Sequence, residues 1–329
     1  MAQIERYWYQ TSPAHLILLP ASWLFRALSA LRRTLYRLQL LASYRLPVPV
    51  VVIGNISVGG TGKTPLTLAI AQQLTDAGLH PVIISRGYGG TAQLRQVTQQ
   101  DMASEVGDEP LLMARRGICP VWIGRDRVAA AKLALAAHPQ CDLLLCDDGL
   151  QHYRLQRNFE IVVVDGARRF GNGRLLPAGP LREPVSRLKY VDAVVVNSGP
   201  IESGQYEMRL SGDIFYNLKD PARQAVATEL RHLKLHAVAG IGHPQRFFDS
   251  LSAMGLAFTA HAYPDHHPYT RADLAFDACD ALLLTEKDAV KCAPYADERY
   301  WVLRVDALID PALIAHILRK TALHGRKTA

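Results

Sequence analysis

The stretch "GNISVGGTGKTP", residues 54–65, sets an ammonium and a hydroxyl side by side, Lys63 and Thr64, behind Gly59, Gly60 and Gly62. That combination suits a phosphate. Backbone N–H groups of a glycine-rich turn point at phosphate oxygens, the lysine bridges the β and γ phosphates, and the threonine hydroxyl holds Mg²⁺. The full pattern G-x-x-x-x-G-K-[ST] wants glycine where Ser57 stands. Serine is tolerated there if its backbone dihedrals are ordinary, with Gly54 as an earlier source of flexibility. Ser57, Val58, Gly59, Gly60, Thr61, Gly62, Lys63 and Thr64 are therefore the expected ATP loop.

A carboxylate should accompany it. "CDLLLCDDGLQH" puts Asp147 and Asp148 at the end of a hydrophobic run, where parallel sheets open their ligand crevice and where a hard cation finds oxygen ligands. They compete with a plainer reading, a solvated turn closed by Gly149. Phosphoryl transfer also needs a group to take the proton of an attacking hydroxyl or to orient water. "EVGDEPLLMARR" offers Glu105, Asp108 and Glu109, the last a further carboxylate for the metal. Asp108, two residues before Pro110, equally suits a helix cap and nothing more. "YPDHHPY" offers Asp265, His266 and His267 on a loop, where an imidazole can orient a carboxylate or carry a proton near neutral pH. Zinc is a weaker reading, because no further paired ligands sit at suitable spacing.

The elements that must position these groups follow from hydrophobic pattern. "VPVVVIGN", "PVIISRGYGG", "CPVWIG", "CDLLLCDDG", "FEIVVVDG" and "VDAVVVNS" are continuous apolar runs alternating with helical stretches. Continuous rather than alternating strands indicate a mostly parallel sheet covered on both faces, hence a doubly wound α/β fold. The pattern loosens near residues 200–232 and a second βα series begins with "LHAVAGIG". The expected division is an N-terminal helix over 1–45, a phosphate-loop domain over 46–205, a linker over 206–235 and a smaller α/β lobe over 236–329.

The 329 residues include 37 Lys and Arg against 30 Asp and Glu, a formal charge of +7 that favours anionic partners. No nucleic-acid recognition motif is present, and no protein partner is inferred. Five cysteines without a C-x-x-C suit a reducing compartment. Near the N-terminus the uninterrupted apolar run, Leu16–Phe25, is about half of what a spanning helix needs, roughly 20 residues. The arginines follow it, unlike a signal peptide. From Ala21 to Leu41, leucines recur at helical spacing with arginines between them, as in an amphipathic helix lying on an anionic membrane surface; packing on the protein's own core and a short span are the alternatives.

"GNISVGGTGKTP", "SRGYGG", "VGDEP", "GRDR", "CDDGLQH", "GNGRLLPAGPLRE", "GIGHPQRFF", "PDHH" and "TEKDAVK", in that order, closely resemble the tetraacyldisaccharide 4′-kinase family of lipid A biosynthesis. The resemblance runs from about residue 45 to 292. It implies transfer of the ATP γ-phosphate, with Mg²⁺, to the 4′-hydroxyl of an acylated glucosamine disaccharide at the cytoplasmic face of the inner membrane. Carried over by motif, Asp108 looks like the catalytic base and His266 or His267 its partner, with Lys63, Thr64 and Asp147 or Asp148 at the nucleotide and metal site. Arg86, Arg127 and His152 fall in matching segments and are candidates for contacts to phosphate or substrate, or for ion pairs on a cleft wall. The rival class is a nucleotide-driven switch whose loop carries an extra lysine; Val58 stands in its place. A scaffold with a vestigial loop conflicts with Lys63, Thr64 and the paired aspartates.

Overall fold

The six apolar runs read as buried strands all enter one sheet. In a computed structural model, which describes residues 8–9 and 14–325, they form β1 (Val50–Gly54), β2 (Pro81–Ser85), β4 (Val121–Gly124), β5 (Leu143–Asp147), β6 (Phe159–Asp165) and β7 (Ala193–Asn197). With β3 (Leu94–Val97), β8 (Tyr206–Ser211) and β15 (Asp306–Ile309) the order is β15-β8-β7-β6-β1-β5-β2-β4-β3. The seven inner strands run parallel, and only the two edge strands are antiparallel.

Side chains alternate across this sheet, so both faces need cover. Val51, Ile53, Leu145, Ile161 and Val163 pack with Leu66 and Ile70 of α2 (Lys63–Asp76) and Leu111 of α3 (Asp108–Arg116). On the opposite face Val50, Val52, Leu144 and Cys146 meet Val128, Ala131 and Ala134 of α4 (Arg127–Ala137). Burial on both sides explains why these strands read as unbroken apolar runs.

The smaller sheet has the order β10-β9-β14-β13-β11-β12, from β9 (Ile214–Asn217), β10 (Gln224–Val226), β11 (Leu235–Ala239), β12 (Phe258–Ala262), β13 (Ala281–Thr285) and β14 (Tyr300–Leu303). Helices α5 (Pro244–Ala253) and α6 (Glu286–Cys292) belong to it.

The division between lobes differs from the sequence expectation at both ends. Residues 206–211, read as linker, are a strand of the large sheet. Residues 306–325, read as part of the small lobe, return to the large one: β15 pairs with β8, Ile309 opposite Met208, and Leu313, Ile314 and Ile317 of α7 (Pro311–Gly325) join the large core. The lobes are thus joined by two adjacent crossings, Gly212–Asp213 and Arg304–Val305. Glycine is required at the first, since a Cβ on Gly212 would stand 2.2 Å from the Arg304 carbonyl oxygen.

Helix α1 (Leu19–Arg37) starts and ends earlier than the expected 21–41. One side is tied down: Ser22 Oγ donates to the Leu175 carbonyl at 2.8 Å, Phe25 packs on the cluster of Ile56, Leu150 and Leu175, and Arg33 reaches Glu183 at 3.3 Å. On the other, Trp23, Leu24, Leu28 and Leu31 are 55–64% exposed. No helix among the described residues is long and apolar enough to cross a membrane.

Candidate active site

The phosphate loop hangs between β1 and α2. Ser57 is buried, makes a bridge to Leu181 and has no positive φ, which is why serine serves where the pattern wants glycine. Gly62 cannot be replaced so easily. It sits at φ +96°, and a Cβ there would lie 2.6 Å from Asn197 Nδ2, whose amide donates to the Thr61 carbonyl at 3.1 Å. No side chain caps α2, so the N–H groups of its first turn stay available to an anion.

Lys63 Nζ stands 3.5 Å from Asp148 Oδ1, and Arg182 Nη1 lies 3.5 Å from Asp148 Oδ2. Burial alone would raise the Asp148 carboxyl, but Lys63, Arg182 and Arg127 together hold it below the usual range. Asp147 is pushed the other way, up to about 7, by burial and then by Glu109 and Asp148. Its Oδ1 accepts from Thr67 Oγ1 at 3.3 Å, while its buried Oδ2 has no hydrogen-bond partner among the described residues. Two adjacent carboxylates driven apart, one with an orphaned oxygen, fit a hard divalent cation. Asp148 also takes φ +45°, a conformation non-glycine residues avoid.

The second constellation joins the lobes. Asp108 is the first residue of α3, and its Oδ1 accepts the Glu109 N–H at 2.9 Å, so it does serve the helix end. It also meets His266: Nδ1 lies 2.9 Å from Asp108 Oδ2 and 3.1 Å from Oδ1. An ionised carboxylate only accepts, so Nδ1 carries the hydrogen. Burial opposes ionisation of Asp108, yet the His266 hydrogen bond and the charges of Lys287, His266 and Lys291 prevail and lower its pKa. The hydrogen bond to Asp108 raises that of His266 against burial and the charge of Lys287. His266 holds φ +61°. That turn separates it from His267, whose Nε2 lies 3.4 Å from Asp273 and whose ring stacks on Tyr263.

Lys287, at the start of α6, closes the cluster. Its Nζ is 3.0 Å from Glu109 Oε1, 3.1 Å from Asp265 Oδ1 and 3.4 Å from His266 Nε2. Burial lowers its pKa, but Glu109, Asp108 and Asp265 raise it further, so the ammonium persists. Glu109 therefore spends one oxygen on Lys287 while its charge is felt at Asp147. Sequence reasoning gave Lys287 no role; a lysine between two acids at a strand-to-helix junction, Glu286-Lys287-Asp288, is the signal it carries. Tyr88, whose ring centroid is 5.2 Å from that of His266, was likewise not singled out as a site residue.

The remaining candidates scatter. Arg127 is buried and donates to the carbonyls of Asp147 (3.4 Å) and Asp148 (3.3 Å), beneath the aspartate corner. His152 is pushed down to about 4 by burial and by Arg127 and Arg157, and is neutral at physiological pH. Arg86 is exposed. A cavity of about 340 Å³ lies along the outer side of α2 beside the second crossing, lined by Pro65, Leu68, Gln72, Arg116, Arg304 and Asp306; it does not include the Asp108–His266 pair.

This arrangement can hold a triphosphate and a divalent cation at one corner and deprotonate a hydroxyl at the other. Residues 14–322 match the family model described as tetraacyldisaccharide-1-P 4'-kinase. The tetraacyldisaccharide 4'-kinase of Methylobacillus flagellatus is 51% identical over 96% of this chain and 95% of its own length. That of Azoarcus sp. is 51% identical over 100% and 98%. Among solved structures, the "apo" form of LpxK from Aquifex aeolicus in complex with ATP superposes with a TM-score of 0.79 at 29% identity, covering 94% of this chain and 99% of that one. Phosphate loop, aspartate corner and full-length similarity converge, and the chain is a kinase belonging to the tetraacyldisaccharide 4'-kinase family.

Proposed function

We propose that the protein transfers the γ-phosphate of ATP to the 4′-hydroxyl of a tetraacylated glucosamine disaccharide 1-phosphate, with Asp108 as general base and His266 as its partner. The observation that carries this reading is the 2.9 Å contact between Asp108 and His266 across the two lobes, next to a phosphate loop. In the step proposed, the sugar oxygen forms its bond to the γ-phosphorus as the bond to the β–γ bridging oxygen breaks, and the hydroxyl proton passes to Asp108. His266 Nδ1–H orients the carboxylate and steadies its charge until then. Lys287 keeps Glu109, Asp265 and His266 together at the lobe boundary. Backbone amides of Gly59 to Thr64 and the Lys63 ammonium hold the triphosphate. Thr64, Asp147 and Asp148 are the residues that would hold Mg²⁺, which supplies charge neutralisation on the phosphates.

The acceptor is a lipid, so we place the enzyme at the cytoplasmic face of the inner membrane. Burying each acyl methylene is worth about 0.8 kcal/mol, too much for such a substrate to leave the bilayer freely. The exposed Trp23, Leu24, Leu28 and Leu31 of α1, with exposed Arg26, Arg32 and Arg37 nearby, provide apolar and cationic groups for an anionic leaflet.

Radiolabelled ATP, Mg²⁺ and the acylated disaccharide 1-phosphate should give a labelled lipid; free phosphate alone would instead indicate a nucleotide switch. In this assay Asp108→Asn should turn over ~10²–10⁴-fold more slowly with ATP affinity nearly intact, and wild-type turnover would leave Asp108 a helix-end residue only. Removing the Asp108 charge also deletes the largest influence that raises His266, leaving burial and Lys287, which lower it, against the smaller upward pull of Asp265. By NMR, the His266 pKa should therefore lie above the ordinary imidazole value of about 6.5 in the wild type and below it in Asp108→Asn. Replacing Leu24, Leu28 and Leu31 together by serine should weaken sedimentation with anionic vesicles roughly tenfold or more while sparing nucleotide binding.

A further inference from the structure

Beyond the loop, β6 ends in a turn that sends an arginine over the phosphate site. Asp165 Oδ1 accepts the N–H groups of Ala167 (3.0 Å) and Arg168 (3.1 Å), and it also takes Arg246 Nη2 at 3.2 Å. That oxygen is thus committed to two amides and another arginine, while the buried Oδ2 has no hydrogen-bond partner among the described residues. Among the described residues no carboxylate lies within 4.0 Å of the Arg168 guanidinium. Instead its Nη1 donates to the Gly242 carbonyl at 3.4 Å, and the guanidinium carbon is 5.3 Å from the centre of the Tyr9 ring. The same Nη1 would be the nearest atom, at 3.7 Å, to a Cβ placed on Gly59.

A half-buried guanidinium with no carboxylate in ion-pair contact is a costly arrangement that an arriving anion would relieve. Its setting names the anion. Arg168 shares with the loop residues Ser57 to Thr61, and with Asp165 and Arg169, a gap of about 10 Å³, room for one water at most. On the other side of that gap the small lobe presses in, since a Cβ on Gly242 would lie 2.9 Å from the Gly60 nitrogen.

We infer that Arg168 is a further catalytic residue, an arginine supplied in cis that leaves the Gly242 carbonyl to bind the terminal phosphate of the triphosphate and neutralise charge as the phosphoryl group is transferred. The inference rests on the kinase reading above. The bond to the acceptor oxygen forms, the bond to the β–γ bridging oxygen breaks with its electron pair staying on ADP, and Arg168 exchanges no proton. A planar fork of donors, unlike a lysine ammonium, matches two phosphate oxygens at once.

The test is turnover, ATP dissociation constant and thermal midpoint of the full-length enzyme as wild type, Arg168→Ala and Arg168→Lys, with and without added guanidinium. Arg168→Ala should lose ~10²–10³-fold in kcat with ATP affinity changed less than about fivefold, because the charge it answers is greatest during transfer. Arg168→Lys should remain at least about tenfold slow, and guanidinium should restore part of the Arg168→Ala rate without altering its midpoint. An Arg168→Ala enzyme within about threefold of wild type, or a slow one that guanidinium does not rescue, overturns the assignment. Should Arg168→Ala not fold, wild-type kcat in Arg168→Lys overturns it equally. Wild-type enzyme that labels no lipid sinks the kinase reading itself, whereas an active wild type with a fast Arg168→Ala sinks the arginine alone.

Discussion

Asp108 and His266 stand on different lobes, 158 positions apart in the chain, and their contact is the constraint around which the site is arranged. A carboxylate buried at the start of a helix ionises only with help, and here the help comes from the opposite lobe as an imidazole N–H and an ammonium. Neither lobe alone supplies both halves. Lys287 reinforces the dependence, because its Nζ touches Glu109 of the large lobe and Asp265 and His266 of the small one. Two adjacent crossings, with Gly212 pressed against Arg304, set the geometry in which these groups meet.

The aspartate corner shows a second use of opposed environments. Asp147 and Asp148 are neighbours with the same side chain, yet burial and like charge drive one up to about 7 while Lys63, Arg182 and Arg127 hold the other down. A divalent cation beside them would relieve the repulsion at Asp147 and satisfy its unpartnered Oδ2. The strained backbones at Asp148 and His266, both left-handed, belong to the two constellations that the proposed chemistry uses.

Much of this was legible from the chain. The parallel strands were, because burial on both faces leaves runs such as Val50–Ile53 and Ile161–Val164 without a polar residue. The phosphate loop was, because its glycines and its Gly-Lys-Thr serve a local geometry. What local pattern could not supply was the partner of each surface. The apolar side of α7 announces burial but not against which sheet, and so residues 306–325 were assigned to the wrong lobe. His266 and His267 are adjacent and chemically identical; only the left-handed turn at His266 separates them. Arg127 follows Asp126, whose side chain caps α4 through the N–H groups of Val128 and Ala129, and that cap directs the arginine beneath the carbonyls of Asp147 and Asp148. Lys287 had no assigned role because its partners come from two segments distant in sequence, Asp108–Glu109 and Asp265–His266.

The account's central claim is that Asp108 and His266 act as one unit across the lobes. A double-mutant cycle in kcat with Asp108→Asn, His266→Gln and the pair measures this directly. If the claim holds, the double variant is about as slow as the slower single variant. Losses that multiply, each variant slowing the other by its full independent factor, would contradict it.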